Sequence, residues 1–197
     1  LVLTSSQGER RVAQIAVADT ASSLAPPELL IVTFKGQALA TDAQSLAPLI
    51  GPNTLVLPMM NGVPWWFLQP ADREPLTSVD PHGHIAATIP FAQTLGAVVH
   101  LTCVGTAPGE VRHGFGERLI VGEPRGGSSE RVERITATLA SAGFQAERSE
   151  NVQRDIWFTW TSTVTDHVQL ATCGLTGVDT KVAVYAGSGC PSAAPIV

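Results

Sequence analysis

The chain has 197 residues, 44% of them apolar and 15% charged, and a net charge of −5. That size and apolar content exclude intrinsic disorder and any need for a disulfide or metal to fold. The negative balance excludes a nucleic-acid binder working by phosphate neutralisation, and no apolar run reaches the ~18 residues of a membrane span.

Residues 11–17 alternate as a strand does, and Leu24-Ala-Pro-Pro27 breaks the chain. Leu29 to Phe34 is a short continuous apolar run, the pattern of a strand buried on both faces, and it ends at Lys35-Gly36. Residues 38–50 place Leu39, Ala43, Leu46 and Ile50 at helical spacing before Gly51-Pro52 closes the helix. Thr54 to Met59 is a second buried strand, so this stretch reads as a βαβ crossover of the parallel α/β kind. Asn61-Gly62 makes a turn, and Trp65 and Trp66 after it are expected to pack against a second domain.

Leu95 to Val104 is a further strand, and Glu110–His113 and Arg118–Val121 flank Gly114 and Gly116 as a tight hairpin. Ser128 or Ser129 caps a helix with Val132, Ile135, Leu139 and Ala142 on its buried stripe and Gly143 at its end. Phe144–Arg148 reads as a short strand, residues 151–170 as a helix rich in threonine, and the tail from Ala186 as frayed.

In such a sheet, ligands bind beyond the carboxyl ends of the strands. Lys35 and Asn61 occupy those positions. A lysine there holds a phosphate or carboxylate as a point charge, and an asparagine orients a carbonyl or amide. Read by spacing alone, the two are equally a solvated strand end and a turn. No GxGxxG occurs, so a dinucleotide-binding fold would need its first strand and phosphate loop upstream of residue 1. The chain begins with Leu inside a strand-like run and reads as a fragment or a processed product. The three cysteines are odd in number and form no CxxC, which favours the reducing cytoplasm. Five histidines without HxxxH or HExxH give no metal site.

Five segments in order carry a resemblance to the ketopantoate reductases, the NADPH-dependent 2-dehydropantoate 2-reductases. They are PELLIVTFKGQ, LAPLIGPNTLVLPMMNGVPWW, SVDPHGHIAATIP, PGEVRHGFGERLIVGEP and AGFQAERSENVQRDIW. The resemblance implies a partial Rossmann-like domain over residues 1–150 and the start of an α-helical domain over 151–197. It also implies NADP(H) and a 2-keto acid bound in the cleft between them, in a soluble cytoplasmic enzyme for which homodimerisation stays open. Lys35, Asn61 and Thr102 then fall at cofactor-binding positions, Asn61 also at the substrate, and His113 and Gly116 in a structural hairpin.

The family's proton-donating lysine corresponds to Thr159 here, and two family asparagines to Thr163 and His167. These three share one helix face at i, i+4 and i+8. A threonine hydroxyl is a poor proton donor, so His167 beside Asp166 is the candidate substitute acid. Three readings follow. One is a ketopantoate reductase. Another is a catalytically disabled member that binds a nucleotide or a partner. The last is a relative in the 6-phosphogluconate dehydrogenase-like group with His167 as acid/base.

Overall fold

The computed structural model describes residues 1–69 and 76–155. They belong to one compact unit, Leu1–Ile156; the other unit, Trp157–Val197, lies outside the described residues.

The expected crossover is present. Strand β3 (Leu29–Val32) leads into helix α1 (Gly36–Asp42) and returns as strand β4 (Leu55–Pro58), parallel to β3 with Leu30 opposite Val56 and Val32 opposite Pro58. The helix is shorter than its periodicity suggests. From Ala43 to Leu49 the chain tightens into a 3-10 helix, because Pro48 has no N–H to give an α-helical ladder. The apolar spacing still delivers Leu39, Ala43 and Leu46 to the core. Strand β3 is not buried on both faces: Val32 is buried, whereas Ile31 is 41% exposed and Phe34 is exposed too. Among the described residues β3 pairs with β4 alone.

A larger mixed sheet holds β1 (Val2–Thr4), β2 (Arg10–Val12), β5 (Gly96–Ala107), β6 (Glu110–Gly122) and β7 (Gln145–Ser149). Its long antiparallel pair β5–β6 receives β1 and β7 as parallel neighbours along β6. The strand expected over residues 11–17 ends at Val12; Val12, Ile15 and Val17 stand exposed. One isolated parallel bridge, Val56 with Thr94, links β4 to the start of β5.

The tight hairpin expected around Gly114 and Gly116 is instead the interior of β6, and the turn falls at Pro108-Gly109. Between the pairs His100–Arg118 and Cys103–His113 the register shifts, so that β6 carries extra residues as bulges. Gly116 sits there at φ +78°, where a Cβ would lie 2.1 Å from the His100 carbonyl oxygen. Glycine is thus required for close approach of two backbones rather than for a turn.

Two apolar layers cover the sheets. On one side Val32, Val56, Val98 and Ile120 meet Leu39, Ile85 and the fully buried Trp65 and Trp66. The tryptophan pair therefore packs into its own unit. On the other side Leu57, Leu95, Leu119 and Val121 meet Val132, Ile135 and Leu139 of α3 (Glu130–Ser141). Ser129 caps α3, its Oγ accepting from the Val132 N–H. Ala142 is exposed at the helix end and off the predicted stripe. Of the helix expected over 151–170, the described part is a 3-10 turn, Val152–Asp155.

A half-buried ion pair fastens α3 to the end of β6. Arg131 donates through Nε and Nη2 to Glu123, Ser129 adds a third bond, and Arg131 Nη1 reaches the Ala92 carbonyl. Burial pushes the Glu123 carboxyl up, but the bonds from Arg131 and Ser129 and the Arg131 charge together hold it below its ordinary value.

Three outcomes are expected. Gly116→Ala lowers the urea unfolding free energy by about 3 kcal/mol or abolishes folding. Gly109→Ala has a similar positive φ but open space, and costs about 1 kcal/mol. The depressed Glu123 pKa adds stability at neutral pH that is lost as pH falls below the ordinary carboxylate range. Glu123→Gln is therefore less stable than the parent by about 1–2 kcal/mol at pH 7, and the gap closes on acidification.

Candidate functional site

The carboxyl ends of β3 and β4 lie side by side, and the Met59 N–H still donates to the Val32 carbonyl. Val32 pairs with Pro58, and Lys35 and Asn61 each stand three positions further on. Lys35 is exposed and forms the N-terminal boundary of α1, its carbonyl accepting from the Leu39 N–H. Asn61 is exposed but engaged. Its Nδ2 donates to the Val99 carbonyl at 2.8 Å and its Oδ1 accepts from the Val99 N–H at 3.0 Å. That reciprocal pair carries the loop after β4 onto β5.

Thr102 lies three residues beyond Val99 on β5. Its Oγ1 accepts from the Phe115 N–H at 3.0 Å and lies 3.4 Å from the Phe115 carbonyl oxygen as a donor. Gly114 makes room, since a Cβ there would come within 2.8 Å of that hydroxyl. The bulge so clamped projects the Phe115 ring outward, 75% exposed. His113 completes it, with Nε2 2.6 Å from the Gly116 carbonyl oxygen, so that the pair expected in a hairpin braces a bulge inside β6 instead. Lys35 and Asn61 thus follow the carboxyl ends of β3 and β4, whereas Thr102 lies inside β5 opposite Phe115, its hydroxyl spent on backbone. Thr159, Thr163 and His167 lie outside the described residues.

Sequence reasoning missed Asp80. It is buried, and its carboxylate accepts from the Ile85 N–H at 3.2 Å and the Ala86 N–H at 2.9 Å, closing the start of helix α2 (His84–Thr88). The sequence Asp80-Pro81 ahead of a helical run was the available signal. His82 and His84 place their rings 5.5 Å apart. Among the described residues, no group of three metal-ligating side chains occurs, and no helix is long and apolar enough to cross a membrane.

An exposed cation can hold an anionic group as a point charge, and an amide of fixed polarity can orient a carbonyl or hydroxyl of a ligand. Comparison with known proteins bears on which ligand that is. The family model for ketopantoate reductase PanE/ApbA matches residues 1–126. A 2-dehydropantoate 2-reductase of Mesorhizobium japonicum is 34% identical over 154 residues, which is 76% of this chain and 47% of that protein. The crystal structure of a candidate ketopantoate reductase from Ralstonia solanacearum MolK2 is 48% identical with a TM-score of 0.75, over 80% of this chain and 50% of its own. A 2-dehydropantoate 2-reductase structure from Methylococcus capsulatus shares the fold at 23% identity and a TM-score of 0.61, over 79% and 46%. The chain spans about half the length of these relatives.

Replacing Thr102 with Val removes both hydroxyl bonds at constant shape. The expected result is a stability loss of about 1 kcal/mol and faster hydrogen exchange at the Phe115 amide, with Thr102→Ser close to the parent on both.

Proposed function

The chain belongs to the ketopantoate reductase family, and from that premise we propose that it forms the cofactor side of an NADPH-dependent reductase converting 2-dehydropantoate to pantoate. The observation that carries this reading is the matched placement of Lys35 and Asn61 past the carboxyl ends of two adjacent parallel strands. Lys35 holds a cofactor phosphate as a point charge. Asn61 lies between cofactor and keto acid, and the Thr102 main chain passes the nicotinamide. The cofactor supplies a hydride to the keto carbon.

The proton for the resulting alkoxide is the other requirement. In this reading it comes from the face that bears Thr159, Thr163 and His167, which follow the unit that ends at Ile156. Thr163 and His167 contact the substrate, and His167 gives the proton that Thr159 cannot. The cytoplasm is the compartment that suits the unpaired, exposed Cys103.

Titration of the chain with NADPH tests the cofactor half. Saturable micromolar quenching of tryptophan emission is expected, weakened at least tenfold by Lys35→Ala; no binding up to millimolar NADPH overturns it. Turnover of 2-dehydropantoate, followed by loss of NADPH absorbance, tests the catalytic half. Activity lost in His167→Ala supports the substitute acid. Activity appearing only in Thr159→Lys identifies the natural chain as the disabled, nucleotide-binding form.

A further inference from the structure

We infer that Asn61 is a positioning residue, whose carboxamide stands in for a strand's peptide group and holds the β4 loop on β5 with a fixed amide polarity. The ligand consequence rests on the reading above; the geometry does not.

Strand β4 ends at Pro58, and the one bridge between β4 and the start of β5 lies back at Val56 and Thr94. The Asn61 side chain joins the loop to β5, giving one N–H to the Val99 carbonyl and taking the Val99 N–H on Oδ1. It is the same exchange of donor and acceptor that paired strands make.

Met60 packs against the apolar core below the loop. A small cavity under it is lined by Pro58, Met60, Gly62, Pro64, Trp66 and Val152, among others. Gly62, at φ +105°, then turns the chain so that Pro64, Trp65 and Trp66 enter the core. The loop is therefore tied upstream by the Met59 N–H on Val32, in the middle by Asn61, and downstream by the tryptophans.

A primary amide has two donors and two lone pairs. Val99 takes one of each and so decides which end of the amide is oxygen. The other N–H and lone pair face the exposed carboxyl edge with their identities set, ready for a ligand amide or hydroxyl.

The pH behaviour of Asn61→Asp tests this in the 197-residue chain. The aspartate keeps one oxygen for the Val99 N–H but sets the other against the Val99 carbonyl. That raises its pKa, and the protonated form restores the missing donor. At pH 8 the Val99 amide should exchange about tenfold faster than in the parent, and NADPH should bind about tenfold more weakly. Both ratios to the parent should return toward one on acidification to pH 4.5, whereas Asn61→Ala stays impaired at every pH. Val99 exchange unchanged in both variants overturns the inference. Weakened NADPH binding without any change at Val99 also overturns it, as direct contact. If the parent binds no NADPH, the cofactor reading fails and the exchange arm still decides the role of Asn61.

Discussion

The unit depends on how its two sheets are joined. Strands β4 and β5 share one bridge, Val56 with Thr94, together with the Leu95 N–H on the Val56 carbonyl. Main-chain bonding alone therefore does not make β3–β4 and β5–β6–β7 one layer. Side chains do it. Trp65 and Trp66 fill one face across the seam, with Trp66 against Gly96. Leu57 and Leu95 meet beneath α3 on the other. At the carboxyl end Asn61 closes it. At the amino end Gln93 does the same, its Nε2 donating to the carbonyls of Gly51 and Thr54, both at 2.7 Å.

The same economy governs the long β5–β6 ribbon. It exceeds the packed part of the sheet, and its outer half is exposed. What keeps it in register is local: glycines that admit a neighbouring backbone, a threonine hydroxyl on Phe115, and a histidine on Gly116. Short β1 and β2 extend this outer half, so the distal ribbon is held by hydrogen bonds more than by burial.

Much of this was legible in the sequence where one face of an element is buried. The apolar run of β4, the Leu39–Leu46 spacing and the Val132–Leu139 stripe reach their layers, because burial is what sets those patterns, whereas β3 does so through Leu29, Leu30 and Val32 with Ile31 left exposed. Errors came where another force decides. Pro48 altered the helix type at unchanged apolar spacing. Paired glycines in β6 looked like a turn because a bulge needs the same conformational freedom. Residues 13–17 alternate, yet β2 ends at Val12, and Ile15 and Val17 stand exposed. Of the site, the placement of Lys35 and Asn61 followed from strand ends alone. The commitment of the Asn61 amide to Val99, 38 residues away, has no local signature.

Burial of Trp65 and Trp66 bears on the optical behaviour of the molecule. Two of its four indoles sit at 1% and 2% exposure in an apolar layer, below the loop that follows β4. Indoles so buried are expected to emit toward the blue and to be shielded from collisional quenchers in solvent. A dihydronicotinamide at the carboxyl edge absorbs where such indoles emit. It would therefore dim them through dipolar energy transfer across the loop, with no contact between ring and ligand. The buried pair would thus report a dihydronicotinamide, were one bound there, by energy transfer, while acrylamide in solvent would reach it poorly.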